Sequence, residues 1–172
     1  MKTRLVISAL VLASISAAAQ TKNPISSALK DILPNRQKNI IAAVEAMPAD
    51  KFSYKPTADQ MTFGHLVTHI VEANNFICSK AASAPEPKKE ELKETDSKDK
   101  LLAATKASFD FCSDALSKMD DSKLGETTEG FDKKPVTRAW FALVLASSWA
   151  DHYAAEAMYL RLNGIKPPSA KK

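Results

Sequence analysis

Three histidines carry most of the metal-binding chemistry in this sequence: His65, His69 and His152. His65 and His69 are four residues apart, a spacing at which two imidazoles on one helix can share a metal ion. On a helical wheel, His69 lies at the margin of the apolar face and His65 lies on the side expected to face water. Two interpretations stay open: metal ligands, or buried polar side chains with hydrogen-bond partners.

His152 lies on a mostly apolar stripe of the last predicted helix, between two polar residues. Ser148 precedes it by one helical turn and Glu156 follows it by one turn. Glu156 is therefore one candidate for a third ligand beside His69 and His152, and His65 is the other. No serine-nucleophile motif and no glycine-rich phosphate loop accompanies these residues, so the sequence assigns no catalytic residue.

Helices must position these side chains, because apolar residues recur at three- and four-residue spacing and strict alternation is absent. Ser97 or Asp99 is the expected N-cap of the third helix, and Pro34 is a candidate interruption of the first. The four predicted helices cover residues 25–46, 62–82, 97–119 and 136–163. Four helices of about 20 residues, each roughly 30 Å long, predict an all-α four-helix bundle.

Three polar segments connect the predicted helices. Residues 47–60 form a turn-rich loop, and residues 120–135 form another polar excursion without a predicted strand. The segment 83–95, "SAPEPKKEELKET", is charged and contains prolines, so it is expected to be a solvated linker that does not pack.

The two cysteines, Cys78 and Cys112, lie at comparable positions along the second and third predicted helices. They are either a disulfide or two buried free thiols. A disulfide requires these two helices to run parallel, because antiparallel helices would hold the sulfurs something like 15 Å apart at 1.5 Å per residue. The linker is long enough for such a crossover, so we predict parallel second and third helices.

The first nineteen residues are predicted to be a cleaved signal peptide. Lys2 and Arg4 precede a short apolar run, and Ala17–Ala19 offers small residues for cleavage before Gln20. Removing 1–19 leaves 22 basic and 20 acidic residues, so the formal charge falls from +4 to +2. This near balance, with no Lys or Arg cluster in the two aromatic-rich segments, argues against nucleic-acid binding. No later apolar run is long enough to span a membrane, so a periplasmic or secreted protein is expected.

Two segments carry a family resemblance: "MTFGHLVTHIVEANNFICSK" (61–80) and "DHYAAEAMYLRLNGIKPPS" (151–169). Together with "MPADKFSYKPT" (47–57) and "ASFDFCSDAL" (107–116), they resemble the DinB-like family of bacterial four-helix-bundle proteins. The resemblance implies an up-down-down-up bundle over residues 20–172, and it also implies a homodimer. Trp140, Trp149 and Tyr153 are expected to be either core or dimer-contact residues, and the apolar face around Trp140 and Trp149 is the candidate dimer surface.

The same resemblance implies a divalent metal, zinc or nickel, held by three histidines. His69 and His152 match two of those positions, and Ser148 occupies the third. Two functions are therefore expected. One is a metal-dependent hydrolase or transferase that acts on a small molecule, with His69 and His152 as ligands and Glu156 as third ligand or general base. The other is a non-catalytic binding protein that keeps the fold and has lost the metal chemistry.

Overall fold

The computed structural model describes residues 22–88 and 91–171, and the predicted signal peptide lies outside these ranges. Four long helices form the described structure, which is mostly helical. They are α1 (Pro24–Ala46), α2 (Phe63–Ala82), α3 (Lys98–Ser117) and α4 (Arg138–Leu162). Every helix lies within two residues of its predicted bounds. None of the helices in the described ranges combines the length and hydropathy needed to cross a bilayer.

Side chains at the helix N-termini explain why these boundaries could be predicted. Thr62, Ser97 and Thr137 each accept a hydrogen bond from the backbone N–H three residues later, at the starts of α2, α3 and α4. Helix α1 has no such cap of its own. Instead, Asp121 reaches across from the segment after α3 and accepts the N–H groups of Ile25 and Ser26.

Helix α1 continues through Pro34, so the expected interruption does not occur. Proline removes one backbone hydrogen bond and crowds the preceding turn. Pro34 lies on the exposed side of α1, whereas Leu33 and Ile40 are buried in the core on the other side. Burial of the apolar face therefore maintains the helix across the proline.

The four helices surround one apolar core, in which α1 and α2 each pack against both α3 and α4. A disulfide joins Cys78 of α2 to Cys112 of α3, with their Cα atoms 5.3 Å apart. One helical turn earlier, the side chain of Asn74 donates to Ser108 over 3.0 Å. The two contacts are four residues apart on α2 and four residues apart on α3, in the same chain direction. Residues at corresponding positions along the two helices therefore lie side by side.

Two connecting segments are more ordered than the sequence suggests. Within 120–135 and just beyond, Thr127–Glu129 (β1) pairs antiparallel with Pro135–Thr137 (β2) to form a short hairpin. The linker 83–95 also packs: Leu92 lies against the core, and Glu94 accepts a hydrogen bond from Thr62. The expectation of a purely solvated linker was wrong, because an apolar residue and a capping contact tie it to α2.

Gly64 lets the linker approach the first turn of α2. A Cβ at this position would overlap the backbone carbonyl oxygen of Glu94 and would lie 3.4 Å from that of Phe52. The Gly64 N–H also donates to the Phe52 carbonyl over 2.8 Å. Glycine is therefore required here for space.

Gly64→Ala is expected to lower the free energy of unfolding by about 1–3 kcal/mol, because the added methyl group must push backbone aside. Urea denaturation measures the change. Gly125→Ala is the matched control, since a Cβ there meets nothing within 4 Å. Equal stability of the two variants would show that the linker does not press on α2.

Candidate functional site

His69 of α2 and His152 of α4 meet in the groove between these helices. Their ring centroids are 5.1 Å apart and their planes are nearly perpendicular, at 86°. His152 is buried, with 8% of its surface exposed, whereas His69 is exposed. The two rings therefore extend from the buried interior of the bundle to its solvent-exposed surface.

His152 is held as a neutral imidazole. Burial, and secondarily the nearby His69, lower the pKa of His152 to about 4. Its Nδ1 lies 3.4 Å from the Ser148 hydroxyl oxygen. An imidazole with so low a pKa is a weak base at neutral pH, so this contact does not support activation of Ser148 as a nucleophile.

A cavity of about 630 Å³ opens beside the two histidines. One set of lining residues is polar: His69, Glu72, Ser147, Ser148, Asp151 and His152. The other set is apolar: Ala73, Phe76, Ile77, Phe131 and Val144. Apolar walls with a few converging polar groups, at this volume, are typical of small-molecule sites.

Phe131 reaches the cavity from the β1–β2 hairpin, although 59% of its surface is exposed. Its ring stacks on Phe76 of α2 at 5.4 Å and meets Phe141 of α4 edge-on at 5.6 Å. Sequence analysis did not identify Phe131. A lone aromatic within the polar segment "EGFDKKP" was the available signal.

Arg138 fixes this hairpin to the bundle. Its buried guanidinium donates through Nε and Nη2 to the carbonyl of Ala81, at the end of α2. Its Nη1 donates to the carboxylate of Glu126, just before β1, over 3.0 Å. The guanidinium of Arg138 therefore forms hydrogen bonds with both the base of the hairpin and the end of α2.

Arg138→Met is expected to cost about 1.5–3 kcal/mol of unfolding free energy, the usual range for hydrogen bonds to a charged group. It should also loosen the contact of Phe131 with Phe76. Thermal denaturation and the NMR ring signals of Phe131 report the two effects. Arg161→Met, at an exposed position, serves as control. Unchanged stability in Arg138→Met would contradict this role.

Behind the histidines, a buried polar chain crosses the bundle. The Trp149 indole N–H donates to Asn74 Oδ1 over 2.9 Å, and Asn74 Nδ2 donates to Ser108. Trp149 is fully buried in the core, so the structure places it in the core, one of the two positions expected for it, and not at a dimer contact. Trp140 is partly exposed.

Neither candidate for a third ligand forms a three-ligand group with the histidine pair in the described part of the chain. The His65 side chain is 57% exposed and its Nδ1 lies 3.3 Å from a carboxylate oxygen of Glu94. Glu156 is fully buried, and neither of its carboxylate oxygens has a hydrogen-bond partner among the described residues. Burial raises the pKa of Glu156 well above its usual range.

The donor set does not fit a catalytic metal centre. In the described part of the chain, no three His, Cys, Asp or Glu side chains are grouped so that they could hold an ion. A catalytic zinc takes three protein ligands and an open position. His69 and His152 supply two nitrogens, and the adjacent Ser148 supplies only a neutral hydroxyl.

Comparison with known proteins identifies the family of this chain. The model of the DinB superfamily matches residues 33–155. The chain belongs to the DinB superfamily. This match includes His69, Ser148 and His152 but ends before Glu156.

A solved structure agrees with this DinB assignment. A DinB-like protein from Bacillus subtilis, known from a crystal structure at 2.30 Å resolution, is similar with a TM-score of 0.68 and 16% identity. The similarity covers 84% of this chain and 99% of that one. At this identity the likeness establishes the fold alone. A comparison with curated proteins finds no match.

Proposed function

We propose that this DinB-superfamily chain is a binding protein whose His69–His152 cavity holds a small organic molecule without a three-ligand metal centre. The observation that carries the proposal is the cavity itself. It combines apolar walls with a neutral, buried His152 and with Ser148 where the family resemblance implies a third histidine.

The charges around the cavity indicate which molecules it favours. Asp151 places an exposed carboxylate along it, and a neutral imidazole offers one donor and one acceptor but no positive charge. An anion would meet the like charge of Asp151. We therefore propose a neutral or positively charged ligand, with an apolar body against Phe76 and Phe131.

Three probes with the same ring and different charge test the proposal: benzylamine, benzyl alcohol and benzoate. NMR titration should show benzylamine and benzyl alcohol shifting the ring signals of His152 and Phe131, and benzoate binding at least several-fold more weakly. The His69→Ala, His152→Ala double variant should lose these shifts. Tightest binding by benzoate, or binding unaffected by the double variant, would refute the proposal.

We further propose that the chain is exported and cleaved before Gln20. The pattern of Lys2, Arg4 and the following apolar run supports this. The disulfide between α2 and α3 suits an oxidising compartment. The mass of the protein purified from the periplasm, or from the medium, tests cleavage directly. A mature chain that retains residues 1–19 would contradict it.

We also propose the up-down-down-up order of helices. The contacts Asn74–Ser108 and Cys78–Cys112 support parallel α2 and α3. Lys98, at the start of α3, donates to the backbone at the end of α1, which supports antiparallel α1 and α3. An experimental structure of the chain tests this order.

A homodimer through α4 is proposed from its outward apolar residues. Trp140 and Leu143 are exposed, Leu143 at 69%, and large exposed apolar side chains that lie together often mark interfaces. Sedimentation at micromolar concentration should give a dimer for the wild type and a monomer for Leu143→Glu. A monomeric wild type would rule out this interface.

A further inference from the structure

The wall of the His69–His152 cavity includes an aromatic side chain that remains largely open to solvent. Phe131 lines this cavity with 59% of its surface exposed. The other large apolar side chains that are exposed in the described part of the chain lie outside this wall: Ile25, Ile32, Met61, Trp140, Leu143, Met158 and Leu162. An exposed phenyl ring in a concave wall offers apolar surface that a bound molecule can cover.

Hydrogen bonds within the tip of the β1–β2 hairpin fix the backbone that carries Phe131. The Gly130 N–H donates to the Lys134 carbonyl over 2.8 Å, and the Lys133 N–H donates to the Gly130 carbonyl over 3.1 Å. Asp132 Oδ1 accepts the Lys134 N–H over 3.1 Å. Because these bonds close the turn, the ring presented from it needs less ordering when a molecule binds.

Of the two phenyl rings in the cavity wall, Phe131 is the more exposed. The Phe76 ring stacks on Phe131 with the centroids 5.4 Å apart, and the Lys80 ammonium lies over Phe76 at 5.3 Å from its centroid. Phe131 also meets Trp140 and Phe141 edge-on, at 5.5 Å and 5.6 Å, on the α4 side. These contacts leave more than half of the Phe131 surface uncovered.

We infer that the molecule held in the His69–His152 cavity carries an aromatic ring, which packs against Phe131. The inference rests on the proposed function and adds that Phe131 is the residue that selects the class of ligand. Two aromatic rings in an offset or edge-on arrangement attract one another beyond the burial of their surface, whereas a saturated ring of the same size gains burial alone. The cavity therefore favours an aromatic ligand over a saturated one of equal size and charge.

Benzylamine and cyclohexylmethylamine test the inference, because each carries one ammonium group on a six-membered ring and only the first ring is aromatic. The saturated ring is the more apolar of the two, so burial alone would favour cyclohexylmethylamine. NMR titration of the wild type should shift the ring signals of Phe131 and His152, with benzylamine binding about 2- to 10-fold more tightly. Equal affinities, or tighter binding of cyclohexylmethylamine, would overturn the inference and leave the proposed function in place. Binding of neither amine would refute the proposed function and the inference with it.

Two variants of Phe131 assign the preference to its ring. Phe131→Leu keeps an apolar side chain without a π-system, so cyclohexylmethylamine should bind at least as tightly as benzylamine. Phe131→Tyr keeps the ring at this exposed position, so it should retain the preference of the wild type. Thermal denaturation shows that each variant is folded before it is titrated. A preference for benzylamine that persists in Phe131→Leu, or that is lost in folded Phe131→Tyr, would overturn the role given to Phe131.

Discussion

Replacing Cys78 and Cys112 together by alanine is expected to lower the free energy of unfolding by about 3–4 kcal/mol. The disulfide closes a loop between residues 34 apart, and a cross-link of this length restricts the unfolded chain by about that amount. Both residues are also fully buried between α2 and α3, so the lost sulfurs remove packing as well. Urea denaturation of the oxidised protein measures the difference.

Reduction separates the covalent contribution from the packing contribution. The wild type in excess dithiothreitol should lose most of the same stability, whereas the double alanine variant should be insensitive to reductant. A stability loss below about 1 kcal/mol in both experiments would contradict the assigned role of the disulfide in holding α2 against α3.

Glu156→Gln is expected to stabilise the protein increasingly as the pH rises. Glu156 is fully buried without a hydrogen-bond partner among the described residues, and its folded-state pKa is raised. The folded state therefore keeps a proton that the unfolded state loses above the ordinary glutamate pKa of 4.5. Wild-type stability attributable to this group falls by about 1.4 kcal/mol per pH unit, from that value up to the folded-state pKa.

His152 gives the opposite slope at lower pH. Its folded-state pKa of about 4 lies below the ordinary histidine pKa of 6.5, so the unfolded state binds more protons between these values and stability rises with pH there. The two slopes oppose one another above about 4.5 for as long as folded Glu156 keeps its proton, and above about 6.5 His152 contributes no slope. Unfolding curves from pH 4 to 9 should show this shape.

The comparison of variants isolates Glu156. Glu156→Gln should match the wild type near pH 4 and exceed it by more as the pH rises toward the folded-state pKa of Glu156, because the amide carries no titrating proton. Glu129→Gln, at an exposed position of β1, should follow the wild type throughout. Parallel pH profiles for the wild type and Glu156→Gln would show that Glu156 does not hold a proton in the folded protein.

The positions of the helices could be predicted because the spacing of apolar residues and the N-cap residues indicate the same helix boundaries. Thr62, Ser97 and Thr137 close the N-termini, and Gly164, with a positive φ of 72°, follows the end of α4. The hairpin was not predictable, since its strands have three residues each and show no period. Packing of the linker depends on Leu92 and Gly64. It could not be predicted from the sequence, because the residues around Leu92 are mostly charged.

The candidate site was only partly predictable. Helical geometry placed His152 inside the bundle, and it placed His69 nearer the apolar face than His65. In the structure His69 is exposed, but its ring lies against that of His152. Helical geometry could not show that the Glu156 carboxylate lacks a hydrogen-bond partner among the described residues, because that depends on packing between helices. Phe131 reaches the cavity through a hairpin contact distant in sequence, which no local pattern encodes.

The affinity for zinc tests the central claim most directly, namely that the His69–His152 cavity does not work through a three-ligand metal. Ser148→His would restore the third histidine that the family resemblance implies. Competition with a chelator should show that this variant binds one zinc per chain at least about 100-fold more tightly than the wild type, since even partners outside the coordination sphere change metal affinity 10–100-fold. Ser117→His, at an exposed position of α3, should resemble the wild type. Tight binding of one zinc by the wild type, equal to that of Ser148→His and lost in His69→Ala, His152→Ala, would contradict the account and favour a metal-dependent hydrolase or transferase.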